Sequence, residues 1–94
     1  MTMLLSKGRF SLGRVVITNN ALQVLSEDDV FESLQRHVTG DWGDVCEEDR
    51  QTNDDALSGR FRLHSVYSDR NGTCFWIITE WHRLATTILL PTDY

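Results

Sequence analysis

From Arg60 to Leu90 the apolar positions recur with a period of two, the spacing of strands that bury one face. RFRLHSVYS places Phe61, Leu63, Ser65 and Tyr67 on one side and Arg62, His64 and Val66 on the other. TCFWIITEW alternates Phe75, Ile77, Thr79 and Trp81 with Cys74, Trp76, Ile78 and Glu80. Between these runs, Asn71-Gly72 is a strong hairpin signal, because both residue types accept the positive φ of a tight turn. A turn at HRLA and a third strand, TTILLP, closed by Pro91, complete a predicted antiparallel meander.

Upstream the period becomes helical. A short apolar strand, Arg14 to Thr18, is broken by Asn19-Asn20, and Ala21 to Leu25 form a helical turn. In SEDDVFESLQRHVTG, Ser26 is an N-cap and the acidic residues 27 to 29 occupy the first turn, where the helix dipole favours them. Val30, Phe31, Leu34 and Val38 make one apolar stripe, and Gly40 fits the stop. DWG is then a tight connection. A second helix is expected from Asp44, its N-cap, to Ser58, with Gly59 as its stop. Its apolar content is thin (Val45, Cys46, Ala56, Leu57), so it packs at its ends. The expectation is one α+β domain over residues 1–94, with two helices on a three- to four-stranded antiparallel sheet and the N-terminal strand joining an edge. A TTILLP edge left uncovered would invite a homodimer by strand pairing.

Composition narrows the function. Of 94 residues, 40% are hydrophobic, enough for a folded core. No apolar run approaches the ~18 residues of a membrane span, and the patch in MTMLLSKGRF is too short for a signal peptide. The expected location is the cytoplasm, with Cys46 and Cys74 as free thiols and Cys46 as a small buried hydrophobe. The net charge of −5 is unevenly spread. Glu27 to Asp55 holds eleven acidic and two basic residues, hence −9; the rest holds seven basic and three acidic residues, hence +4. The acidic half disfavours direct nucleic-acid binding and favours a protein partner with a basic surface.

Residues 36 to 94 resemble a family of small bacterial proteins carried on plasmids, integrative elements and prophages, some labelled as restriction-system subunits. The resemblance lies in RHVTGDWGD, EEDRQTND, RFRLHSVYSDRNGTCFWIITE and ATTILLPTDY. It departs at His82-Arg83-Leu84, where the family usually has an acidic residue before the arginine and a small polar one after it. The resemblance implies an accessory role in the conflict between mobile elements and their hosts. A chain of this length has no room for a methyltransferase or specificity subunit.

The candidate contact is therefore the acidic segment: Asp41, Asp44, Glu47, Glu48, Asp49, Asp54 and Asp55, with Trp42 as an interface anchor. Taken by itself, an indole between two glycines reads more readily as folding back onto the sheet and closing the connection than as an exposed anchor. The expected function is non-enzymatic binding to a host nucleic-acid-handling complex, in the manner of an anti-CRISPR or anti-restriction inhibitor, with the carboxylates either imitating the phosphate spacing of nucleic acid or otherwise docking a basic protein. Two alternatives stand beside it. One is a solvated face whose acidity has no binding role. The other is a small ribonuclease-toxin-like enzyme using Arg62, His64, Glu80 and Arg83 as base, acid and phosphate clamp, although the same arginines could simply pair with Glu80 across strands. His37, Cys46, His64 and His82 show neither HxxxH nor CxxC spacing, so no metal or other cofactor is expected.

Overall fold

The computed structural model describes residues 8–94. The chain runs through β1 (Arg14–Ile17), α1 (Asn19–Val24), α2 (Glu27–Val38), α3 (Glu47–Gly59), β2 (Leu63–Ser68), β3 (Cys74–Thr79) and β4 (Ala85–Leu89). A 3₁₀ turn, Pro91–Asp93, follows. The class is α+β: three helices, two of them substantial, on a four-stranded sheet. The meander forms as its alternation predicts, with Leu63 opposite Thr79 and Ile77 opposite Ile88. β1 does join the sheet, but parallel to β4, so the sheet is mixed, in the order β1-β4-β3-β2. β4 therefore lies inside the sheet, and TTILLP offers no free edge. The condition for strand pairing between copies at that edge is not met.

One sheet face carries Tyr67, Phe75, Ile77 and Ile88, which pack with Leu12, and with Leu34 and Val38 of α2, into the main core. Trp42, Ala56 of α3 and Leu63 form a second cluster. The alternation stops where the strands stop. Phe61, one residue short of the neighbour of β2, is 67% exposed, and Trp81, beyond β3, is 57% exposed.

Helix boundaries shift for identifiable reasons. Thr18 caps α1, its Oγ1 accepting the Ala21 N–H at 3.1 Å, so Asn19-Asn20 begin that helix. Ser26 does occupy the N-cap of α2, yet its side chain makes no cap bond. Asp69 in the hairpin turn instead accepts the Ser26 N–H at 3.2 Å and the Asn71 and Thr73 N–H groups at 2.9 and 3.0 Å. That one carboxylate ties the β2–β3 turn to α2.

α3 starts later than expected because its approach is extended. Gly43 bridges Val66 on the outer edge of β2; Val66 donates to the Trp42 carbonyl at 3.0 Å and Asp44 donates to the Val66 carbonyl at 2.7 Å. Asp44 is thus held in a strand-like segment, and Cys46 becomes the N-cap, exposed to solvent rather than buried. Only glycine fits at position 43: φ is +75° and a Cβ would lie 2.0 Å from the Val66 oxygen. At the far end, Gly59 stays helical with the Phe61 ring beside it, and the left-handed residue is Arg60, at φ 59°. A side chain there strains the backbone, so Arg60→Gly is expected to raise stability by about 0.5–1 kcal/mol in urea unfolding.

Candidate functional site

The connection between α2 and α3 points its tryptophan inward. Trp42 is 2% exposed, stacks on Phe10 at 6.1 Å between ring centres and meets the His37 ring edge-on at 5.7 Å. Its Nε1–H donates to Asp54 Oδ1 at 2.9 Å, which satisfies the one polar atom the indole buries. Trp42 is not an exposed anchor. The indole has more apolar surface to hide than a two-glycine turn can leave in water, and the Phe10–Ala56–Leu63 pocket receives it.

The acidic residues divide by what already holds them. Asp41 is bidentate with Arg36, at 2.8 and 3.2 Å, and also accepts the Gly43 N–H. Arg36 chiefly holds the Asp41 carboxyl below its ordinary range. Glu47 forks onto Arg50, and Asp54 holds Trp42 while standing 3.9 Å from the same arginine. Asp44, Glu48, Asp49 and Asp55 are exposed, and no ion pair neutralises them among the described residues. Glu48 and Asp55, seven positions apart on α3, stand clear of the cleft that the helix forms with β2. The helix buries only Asn53 and Ala56, and Asn53 clamps it to β2 by exchanging two hydrogen bonds with the His64 backbone, at 2.9 and 3.1 Å.

The four residues of the enzyme alternative do not converge. Arg62 and His64 line a cleft of about 250 Å³ between α3 and β2, together with Asp49, Thr52 and Asn53. His64 Nε2 is shut off from solvent without a hydrogen-bond partner, and burial, with Arg62 second, keeps the ring below its ordinary pKa. Its ring meets Trp76 at 4.6 Å. The sequence hid this grouping because Asp49, Thr52 and Asn53 reach the cleft from another element; a polar face on the side of α3 nearest β2 was the available signal. Arg62 spends its guanidinium on the Tyr94 hydroxyl at 2.7 Å, and neither arginine pairs with Glu80.

Arg83 has a structural task. Its guanidinium donates to the carbonyls of Ala56 at 2.8 Å, Phe61 at 2.7 Å and Glu80 at 3.1 Å. It closes the end of α3 against the β3–β4 turn, where Arg83 itself adopts φ 60°. Arg83→Ala should lower stability by about 2 kcal/mol, read by urea titration, because charged donors to carbonyls are strong and the carbonyls lose their partner.

His37 is fully buried in a relay of hydroxyls. Thr86 Oγ1 donates to the Leu12 carbonyl at 2.7 Å, so the 2.7 Å contact between Thr79 and Thr86 has Thr79 as donor. Thr79 then accepts from His37 Nε2–H at 2.9 Å, and His37 Nδ1 accepts from Ser65 at 2.6 Å. The direction of the relay fixes the neutral Nε2–H tautomer. Burial chiefly, with the charges of His64 and Arg83, pushes the His37 pKa down to about 3. His82 lies elsewhere, its Nδ1 accepting the Leu84 N–H at 3.0 Å. Among the described residues no helix is long and apolar enough to cross a membrane. The chain matches no protein-family model, no curated protein and no solved structure.

Proposed function

We propose that the chain acts by binding, with the outward face of α3 and the Asp44 segment docking against a basic protein surface. The observation that carries this reading is the division among the carboxylates. Asp41, Glu47 and Asp54 already have partners within the chain, whereas Asp44 ahead of α3, and Glu48, Asp49 and Asp55 on that helix, which buries two residues, remain exposed without an ion pair among the described residues. The contact is electrostatic docking rather than close imitation of a duplex: successive helical turns separate carboxylates by about 5.4 Å, against one charge per ~1.7 Å in DNA. The mobile-element resemblance points to a nucleic-acid-handling host complex as target, inhibited as an anti-CRISPR or anti-restriction protein would inhibit it.

The test is capture from bacterial lysate by wild-type protein and by an Asp44→Lys, Glu48→Lys, Asp55→Lys variant. We expect one nucleic-acid-binding complex, released by moderate salt and lost by the variant, with slower association as the main kinetic change. Equal capture by the variant would sink the proposal. RNA cleavage abolished by His64→Ala would transfer the function to the Arg62–His64 cleft instead.

A further inference from the structure

Among the described residues no strand pairs with the outer edge of β1. Arg14 and Thr18 donate inward to the Leu84 and Ile88 carbonyls, both at 3.0 Å. Alternation therefore turns the N–H and C=O groups of Val15 and Ile17 outward. Past Arg14 the edge is apolar: residues 15 to 17 include no charge and no proline, and Val15 and Val16 are 41% and 40% exposed. Beside it runs an apolar groove of about 430 Å³ bordered by Leu22, Leu25 and Val30.

We propose that this edge is the contact of a symmetric homodimer, two copies of β1 pairing antiparallel about a two-fold axis through Val16. The strand is complementary to itself. With Val16 opposite its own copy, Val15 faces the partner's Ile17 and the pair exchanges both backbone bonds; the symmetric pair repeats them. Val15 and Ile17 share the face that carries the groove, so each copy supplies β-branched side chains to the groove of the other. On the opposite face Arg14 stands across from the partner's Thr18. In each copy Thr18 Oγ1 donates to Asp93 at 2.7 Å, and Asn20 also donates to Asp93 at 2.7 Å, holding a carboxylate at that spot. Those hydrogen bonds, Thr18 foremost, keep Asp93 below the ordinary carboxylate pKa. Each Arg14 thus meets an anchored anion, twice per dimer. This charge match selects a second copy over an unrelated strand.

Sedimentation analysis of the full chain from micromolar to near-millimolar concentration tests the dimer. Wild type should sediment with twice the chain mass. Val16→Lys sets two ammonium groups against each other on the axis and should give monomer with an unchanged circular dichroism spectrum. Arg14→Glu, which faces Asp93 with a like charge, should raise the dissociation constant by roughly tenfold. A wild-type monomer throughout the range overturns the proposal. So does a dimer that both variants leave intact, since its contact would then lie elsewhere.

Discussion

His37→Ala should cost the fold about 4 kcal/mol, most of the stability of a domain this small, and leave the chain close to its unfolding midpoint in water. The substitution opens a cavity beneath α2 and strips partners from two buried hydroxyls at once. Ser65 loses its acceptor and Thr79 loses its donor. Each orphaned group adds about 1–3 kcal/mol to the cavity penalty. His37→Phe restores the volume but not the bonds, so it should recover only part of the loss. The two variants separate packing from hydrogen bonding in one urea series. The same residue predicts a pH dependence. Its folded pKa of about 3 lies below the ordinary 6.5, so the unfolded chain binds the proton that the folded chain refuses. Stability from this group is complete above pH 6.5 and falls as pH drops toward 3, by up to about 1.4 kcal/mol per pH unit. His37→Phe should flatten the slope of stability between pH 6 and 4.5. An unchanged slope would mean that the imidazole is not buried neutral.

Trp42→Ala is the second large effect, a loss of about 3–5 kcal/mol. The indole fills the junction of Phe10, His37, Ala56 and Leu63, and its N–H anchors Asp54 on α3. Trp42→Phe keeps most of the ring and gives up the Asp54 bond, a cost of about 1 kcal/mol. Thermal unfolding of both variants reads the effect directly. Binding of a partner by folded Trp42→Phe should match wild type, because the side chain does not reach the surface. Weaker binding at unchanged stability would put the indole in the contact after all.

The elements legible in the sequence are those whose pattern is locally complete. α2 has an apolar stripe and an acidic first turn, and the β2–β3 hairpin has alternation on both sides of Asn71-Gly72. What was not legible depends on partners distant in the chain. The direction of β1 is set by pairing with β4, and the start of α3 by the Gly43–Val66 bridge. Arg83 reads as a charged turn residue until three carbonyls from three segments converge on it. His37 gave a partial signal, since it lies one position before Val38 and three after Leu34, on the apolar side of α2. Nothing local said that hydroxyls would wait there. Of the acidic segment, the sequence found the charge but not the division of labour within it, which is decided by Arg36, Arg50 and Trp42.

The pairing of β1 with β4 also sets the order in which this chain can be assembled. Arg14 lies beside Ala85, and Thr18 is fastened to Asp93. β1 thus has no partner in the sheet until β4 has been made. Helices and hairpin can form from their own neighbours as they emerge, but closing the β1–β4 ladder must join segments as far as 75 positions apart, the slow, high-contact-order step. Until that ladder closes, the valines of β1 wait in solvent.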